Sequence, residues 1–463
     1  MTALYLLAGV CGLIWLAAIL LRGGLLAGCL VLLLAGTCFG YPFFHIESKP
    51  LPLTTDRVLW VGLIAQCLVW RRFRWTERVP LTKADCMLAI FLAVLAMSTF
   101  TSDWRYRNLL PASRLLFYYL LPSGVYWVAR QTRFTERATR VQYAAIGLFG
   151  VYLAVTAIAE TRHWTWLVFP RYIASQNIID FLGRGRGPLL NPAAGGWLLA
   201  IGMSAALMAW PTVNRPGRLS LFGLLLLFAG GVFCTYTRCA WMGALSSLLI
   251  VVGLTMPRAA RLPLIAGSLL LAAALAATQW ESLLEFKRDE GQSQRESAES
   301  VRLRPLLAVV AWKMFLQRPL FGCGFGHYME ESTTVLNDRD VDMPLEKARP
   351  YVQHNVLLGL LTETGLLGMI SFSLVIGYWV RDAWRLWRSE APLWARQQGL
   401  LFLAAMGSYV CNGMFQDLLI VPMINMILFY LAGAVAAQQS GFARRESVVP
   451  PPEAYRGAAG MSP

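Results

Sequence analysis

The stretch from Arg349 to Gly368, "RPYVQHNVLLGLLTETGLLG", joins a polar, proline-broken segment to a long apolar run. His354 and Asn355 stand where the polarity changes, and Glu363 lies inside the run. An apolar run of about 20 residues matches the hydrocarbon thickness of a bilayer. The stretch therefore predicts a membrane helix with a titratable His at its mouth and a carboxylate within it.

The same pattern extends over the whole chain. Its 463 residues are 57% hydrophobic and only 14% charged, whereas a soluble protein has about 25% charged residues. We predict an all-α polytopic membrane protein with thirteen transmembrane helices, twelve being the alternative count. The predicted spans are 3–21, 23–43, 57–70, 86–101, 115–129, 141–159, 191–210, 219–235, 240–256, 262–278, 355–380, 400–415 and 417–437.

The net charge of +15 comes largely from short basic loops between the apolar runs. The positive-inside rule assigns such loops to the cytoplasm, which explains the charge without nucleic acid binding. These loops are 71–78, 129–140, 214–218, 257–261, 381–388 and 443–446. The connections between them, among them the long segment 279–354, then lie on the outer side of the membrane.

All four histidines fall on this outer side, at positions 45, 163, 327 and 354. A site there has no access to cytoplasmic ATP or nucleotide sugars. The placement favours chemistry on a lipid-carried, pre-activated substrate, or transport.

The long outer segment contains apolar residues at helical spacing from Leu303 to Met314. Pro305 suits the first position of a helix, so Arg304 would stand at its N-terminus, where free N–H groups favour an anion. Arg302 is a competing candidate. The polar residues 289–300 are expected to be mobile, and Gly322 and Gly324 predict a turn that allows close backbone approach.

Two further motifs supply arginines. Arg238 lies in "TYTRCAWMG" between two apolar runs, where a charge is a functional candidate unless it reaches the interface. Arg184 and Arg186 lie in "FLGRGRGPLLNPAAGG". Asn191 and Pro192 in that motif predict an N-cap and first residue of the next membrane helix.

His354 is a candidate general base, with an interfacial His as the plainer alternative. Glu363, nine residues on, would lie on the opposite face and about 13 Å deeper, so it cannot orient His354 directly. We expect it to bond to a neighbouring helix. Gly365 and Gly368 would let another helix pack closely.

Arginines outside the membrane suit phosphate binding, because guanidinium binds phosphate bidentately and keeps its charge. Two or three could hold a pyrophosphate leaving group without a metal ion. No metal site or cofactor is predicted, since neither an Asp-x-Asp motif nor a cluster of His and Cys is recognised. His354 would deprotonate an acceptor hydroxyl.

The motifs "TYTRCAWMG", "RPLLAVVAWKMFLQRPLFGCGFG" and "HNVLLGLLTETGLLG" together resemble the bacterial O-antigen ligase and O-antigen polymerase superfamily. The resemblance spans about 220 to 375, with "GPLLNPAAGG" extending it towards 183. It implies a GT-C-like bundle with a large periplasmic loop. It also implies an inverting, metal-independent glycosyltransferase of the bacterial inner membrane that uses an undecaprenyl-pyrophosphate-linked glycan.

By this resemblance His354 is the catalytic residue and Arg238, Arg304 and, more weakly, Arg186 bind the pyrophosphate. Asn355, Glu363, Asn191, Gly322 and Gly324 would support them. The sequence departs from the family at position 239, where Cys replaces the usual Gly.

The predicted organisation has four parts: N-terminal helices (1–180), a ligase-like core (181–380) that includes the loop 279–354, C-terminal helices (381–437) and a disordered cytoplasmic tail (438–463). Three acceptors stay open: lipid A core, another glycan chain, or a protein hydroxyl. A flippase or transporter is the alternative class. It would favour charges at mid-membrane and repeated halves, which the sequence lacks.

Overall fold

The computed structural model describes residues 21–47, 52–76, 79–101, 110–278, 294–337, 344–349, 351–418 and 421–448. Within these ranges the chain is mainly helical. One short antiparallel hairpin pairs β1 (His45–Ile46) with β2 (Leu53–Thr54). The predicted all-α class is confirmed.

The helices are given in chain order. They are α1 (Leu21–Cys38), α2 (Thr55–Arg72), α3 (Lys83–Thr101), α4 (Leu110–Leu115), α5 (Leu121–Arg130), α6 (Glu136–Thr161), α7 (Pro192–Ala209), α8 (Arg215–Cys234), α9 (Arg238–Thr255), α10 (Arg258–Thr278), α11 (Gln294–Gln317), α12 (Tyr328–Leu336), α13 (Val356–Arg388), α14 (Leu393–Gly413) and α15 (Pro422–Val448). A π-helical turn, Leu116–Leu120, joins α4 to α5.

Eight of the described helices are long and apolar enough to cross a membrane by length and composition: α1, α3, α6, α7, α8, α9, α13 and α15. The protein is thus a polytopic membrane protein, as predicted. Each predicted span from 23–43 onwards coincides with a helix, while 3–21 lies almost wholly outside the described residues. The count of twelve or thirteen stays a prediction.

Helix α7 lies at the centre and packs against α6, α8, α9 and α14. Asn191 caps it, since its Oδ1 accepts from the amides of Ala193 and Ala194 at 3.0 and 3.1 Å, and Pro192 opens it as predicted. Small residues make the close contact possible: a side chain at Gly196 would collide with Ala240 of α9.

Helix α11 differs from the prediction. It begins at Gln294 and runs through Pro305, so Arg304 lies inside the helix and not at its N-terminus. The preceding residues include Gln, Arg, Glu and Ala, which favour helix, and a proline removes only one backbone donor. The expected anion site of free N–H groups at Arg304 is therefore wrong, as is mobility for 294–300.

Two other boundaries move. Helix α13 continues to Arg388, and α15 continues to Val448. The predicted basic loop at 381–388 is thus helical, and the disorder predicted for the tail is wrong for 438–448. Basic residues extend a helix readily past the apolar span, because they are good helix formers and favour its C-terminus. Residues 449–463 lie outside the described part.

Helix α13 is broken where Glu363 leads into Gly365, which has φ 62° and ψ −160°. The glycine-rich turn that follows α11, residues 322–326, forms backbone hydrogen bonds with α13 at this break. The amides of Cys323 and Gly324 donate to the carbonyls of Thr362 and Glu363 at 2.9 and 3.0 Å. The turn thereby replaces hydrogen bonds that the helix loses at the break.

The second half of α13 returns these contacts. The amides of Leu366 and Leu367 donate to the carbonyls of Pro319 and Leu320 at 2.9 and 3.2 Å. A Cβ on Gly365 would lie 2.4 Å from the carbonyl carbon of Leu320. Gly365 therefore admits an irregular turn and not the neighbouring helix that the sequence suggested. Four backbone hydrogen bonds thus join the segment 319–324 to α13 at the break.

Candidate active site

Asn355 fixes the start of α13 from both sides. Its Oδ1 accepts from the amides of Leu357 and Leu358, both at 2.9 Å, as an N-cap. Its Nδ2 donates to the carbonyl of Met414 at 3.0 Å, just beyond α14. The residue that precedes it, His354, is consequently held where α13 meets the end of α14.

His354 is half-buried and has a backbone φ of 34°, a left-handed conformation that is uncommon for a non-glycine residue. Burial, and then the positive charge of Arg304, lower its pKa below the ordinary value. Its Nδ1 is buried and has no hydrogen-bond partner among the described residues. Burial and Arg304 thus both favour the neutral imidazole, which is the form that can accept a proton.

Arg304 connects α11 to the place where α13 meets the end of α14. Its guanidinium is half-buried and donates to the backbone carbonyl of Phe415, next to the carbonyl that Asn355 binds. The charge of Arg304 acts on both His354 and Arg238. Arg304 thus lies near enough to act on two candidates from other motifs, Arg238 and His354.

Arg238 is the first residue of α9, and the tight turn before it contains Tyr236 in a left-handed conformation. Arg184, and not Arg186, is the arginine of the glycine-rich frame that approaches it. The guanidinium of Arg184 donates to Oγ1 of Thr237 at 3.4 Å, and its charge acts on Arg238. We call Arg184, Arg238 and Arg304 the arginine cluster.

The backbone of the glycine-rich frame explains why Arg184 is placed there. The amide of Gly185 donates to the carbonyl of Cys234 at 2.8 Å, at the end of α8. A Cβ at Gly185 would lie 2.6 Å from that of Ala157. The frame is thus held against α6 and α8, and the Arg–Gly alternation sends its two arginines to different surroundings.

Arg186 is almost fully buried, with 1% of its surface exposed. Its terminal nitrogens donate to four backbone carbonyls at 2.6 to 3.1 Å, and Nε lies 3.6 Å from the carboxylate of Glu160. The four carbonyls belong to Ile173, Ser175, Ile178 and Asp180. The N–H groups of Arg186 are therefore all bound within the protein, and none is left for a ligand. These contacts indicate that Arg186 stabilises the fold of the segment 173–180.

Glu363 pairs with Arg114 of α4, with Oε1 and Nη1 3.0 Å apart. The carboxylate side chain is 3% exposed. The expectation that Glu363 bonds to a neighbouring helix is confirmed. Arg114 went unnoticed in the sequence, because "PASRLL" at the start of an apolar run reads as an interfacial arginine. The ion pair ties the α13 break to α4.

No group of three or more His, Cys, Asp or Glu that could hold a metal ion is present in the described part of the chain. The sequence analysis overlooked one acidic run with Asp-x-Asp spacing in the outer loop, formed by Asp338, Asp340 and Asp342. It lies outside the described residues. The arginine cluster and His354 supply phosphate-binding and proton-accepting groups that need no metal.

Residues 222–373 match the family model described as O-antigen ligase. This match confirms the resemblance seen in the motifs, over nearly the same stretch of sequence. No curated protein matches the chain. The matched segment, which is similar to O-antigen ligases, includes Arg238, Arg304, His354 and the α13 break.

Proposed function

We propose that this protein is an inverting, metal-independent glycosyltransferase of the bacterial inner membrane. It moves a glycan from an undecaprenyl-pyrophosphate carrier to an acceptor hydroxyl on the periplasmic side. The observation that carries the proposal is that the arginine cluster lies near His354, whose pKa is lowered by burial and by the charge of Arg304. Phosphate oxygens suit the first, and a hydroxyl proton suits the second.

In this mechanism the guanidiniums of Arg184, Arg238 and Arg304 bind the diphosphate of the donor. Nearby like charges are unfavourable in an empty site, and a diphosphate relieves that repulsion. We assign to Arg184 the place that the sequence suggested for Arg186, because the N–H groups of Arg186 are already bound to the protein.

His354 then accepts the proton of the acceptor hydroxyl as its oxygen attacks the anomeric carbon. The bond between that carbon and the phosphate oxygen breaks, and the electron pair leaves with the diphosphate. The arginine cluster neutralises the charge that develops there. A single displacement of this kind inverts the anomeric configuration.

The direct test is transfer by the purified full-length protein in detergent, with a lipid-pyrophosphate glycan, an acceptor and excess chelator. The proposal expects transfer to continue with chelator and product of inverted configuration. Loss of turnover in chelator, restored by a divalent metal, would contradict metal independence and direct attention to Asp338, Asp340 and Asp342.

The acceptor is read from the glycolipid that accumulates when the gene is deleted. Polymer left on the lipid carrier indicates a ligase that acts on lipid A core, which we favour. Single repeats on the carrier indicate a polymerase, and loss of glycan from protein Ser or Thr indicates a protein O-oligosaccharyltransferase. Glycolipid trapped on the cytoplasmic leaflet would indicate the flippase alternative.

Sidedness is tested by single cysteines placed at exposed positions in a variant without native cysteines. Thr333 on α12 should react with an impermeant reagent in intact cells, and Arg385 near the end of α13 should not. Labelling of position 385 from outside would overturn the periplasmic assignment while leaving the chemistry of the site untouched.

A further inference from the structure

A second polar site lies at the other end of the bundle. A cavity of about 970 Å³ opens between the end of α2, the loop to α3 and the end of α5. Its lining includes Arg71, Arg72, Arg74 and Arg130. Cavities of about 300 to 1,000 Å³ accommodate small ligands.

Helix α3 shows how far this cavity lies from the candidate active site. Its first turn carries Asp85, which binds Arg130 of the cavity at 2.9 Å. Near its last turn, Ser98 accepts from the amide of Phe325 in the glycine-rich turn at 3.0 Å. Thirteen residues of helix separate Asp85 from Ser98, about 20 Å along its axis. The cavity is therefore at the opposite end of α3 from the glycine-rich turn.

Only one of the four arginines is neutralised within the described residues. The carboxylate of Asp85 accepts from Arg130, Tyr126 and Thr82, and Arg130 also donates to the carbonyl of Pro80. The described part of the chain provides no ion pair for Arg71, Arg72 or Arg74, all of which are exposed. The cavity thus offers about three positive charges to an anion.

Arg74 occupies a position that normally belongs to glycine. Helix α2 ends in a Schellman motif. The amide of Arg74 donates to the carbonyl of Arg71 at 3.2 Å, and the amide of Trp75 donates to the carbonyl of Trp70 at 2.9 Å. The residue in the left-handed position is Arg74, with φ 58°. A glycine would adopt this left-handed conformation with less strain, so Arg74 destabilises the fold relative to glycine at this position. A role in folding therefore does not explain why an arginine stands here.

Exposed apolar side chains surround the charges. Phe73, Trp75 and Leu81 are 62%, 52% and 69% exposed, and the rings of Phe73 and Trp75 stack at 5.4 Å. Aromatic side chains beside arginines at the end of a membrane helix are typical of the headgroup region of a bilayer. The rim suits acyl chains, and the arginines suit phosphate.

We propose that this cavity binds the phosphate headgroup of an anionic phospholipid of the surrounding leaflet. The site is separate from the glycan-transfer site and uses none of its residues. Basic pockets between membrane helices are suited to such headgroups. The bound lipid would join α2 to α5 through its phosphate and would stabilise that end of the bundle.

The test is a titration of purified full-length protein in neutral detergent with fluorescent phosphatidylglycerol, with zwitterionic phosphatidylcholine, which has no net charge, as the comparison. Saturable binding of phosphatidylglycerol alone is expected, and added salt should weaken it. The triple variant Arg71→Gln, Arg72→Gln, Arg74→Gln should bind roughly 100-fold more weakly, since each arginine contributes about fivefold.

The matched control is the pair Arg215→Gln and Arg218→Gln, two exposed arginines in the first turn of α8 that do not line the cavity. This control should bind as the unchanged protein does. Equal binding by the triple variant would overturn the proposal. Equally tight binding of inorganic phosphate would assign the site to a soluble anion, and preferred binding of polyglutamate would assign it to an acidic protein; both overturn it.

A single variant separates binding from folding. Arg74→Gly relieves the left-handed strain, so its melting temperature in lipid-free detergent should rise or stay unchanged. The rise in melting temperature caused by phosphatidylglycerol should nevertheless shrink, because one phosphate ligand is gone. A lipid-induced rise as large as that of the unchanged protein would show that Arg74 is not a ligand.

Discussion

Arg186 and Arg304 are both arginines from motifs beside membrane helices, yet their surroundings are opposite. Arg186 is buried, and four carbonyls and Glu160 bind it completely. Arg304 is half-buried, donates to one carbonyl and acts on two other positively charged or titratable groups, Arg238 and His354. The contacts of an arginine, more than the motif to which it belongs, therefore indicate whether it stabilises the fold or binds a ligand.

The largest effect is expected at His354, the proposed general base near Arg304. His354→Ala should lower transfer by roughly 100- to 10,000-fold, because the acceptor hydroxyl loses its base. Binding of the lipid-linked donor should persist, since the arginine cluster holds the diphosphate. The measurements are turnover and donor affinity in detergent. Near-normal turnover would make His354 an interfacial residue.

The comparison itself is tested next with Arg304→Ala and Arg238→Ala. Each should lower turnover by roughly 100- to 1,000-fold, as for loss of one group that stabilises developing charge. Lys should restore little, because it lacks the planar fork. Melting temperature should change little, and Arg302→Ala should matter less. An essential Arg302 beside a dispensable Arg304 would mean that the wrong arginine was assigned.

Arg186→Ala should instead act on stability. Removing one partner of a buried ion pair typically costs about 3–5 kcal/mol, because the carboxylate of Glu160 is left buried and uncompensated. We expect a lower melting temperature and little folded protein. Arg184→Ala, two residues away, should fold normally and lose transfer. The reverse outcome in these two variants would return the diphosphate-binding role to Arg186.

The pH dependence gives a smaller, signed effect. His354 must be neutral to act, so turnover should rise with pH through its pKa and level off above it. Burial and Arg304 lower that pKa. In Arg304→Gln the pKa should move up towards its ordinary value, which shifts the acid limb of the residual turnover to higher pH. Arg318→Gln, a change at an exposed arginine of the same loop, should leave the limb in place.

The smallest effect is expected at Glu363. Glu363→Gln should keep much of the activity, since an amide can retain a hydrogen bond to Arg114. The melting temperature should fall, because the largely buried charge of Arg114 loses its ion-pair partner and keeps only a hydrogen bond. A loss of turnover as large as that of His354→Ala, in folded protein, would give Glu363 a direct part in the reaction.

Much of the fold was accessible from sequence because the bilayer imposes a simple length and polarity rule. Apolar runs located the helices from 23 onwards, and Asn191 with Pro192 predicted the start of α7. The extent of α11 was missed, since Pro305 is a common first residue of a helix, although the Gln, Arg, Glu and Ala residues before it favour helix. The break at Gly365 likewise depends on the distant glycine-rich turn.

The sequence by itself determined the chemical inventory: arginines that cannot lose their charge, a His at a helix mouth, and glycines where the backbone must come close. Only the tertiary structure decided which arginine faces which partner. Arg184 and Arg186 differ by two residues and share one motif, yet the frame held by Cys234 and Ala157 sends one to Thr237 and the other to four carbonyls. Such a choice depends on contacts between distant segments, and local spacing carries no information about them.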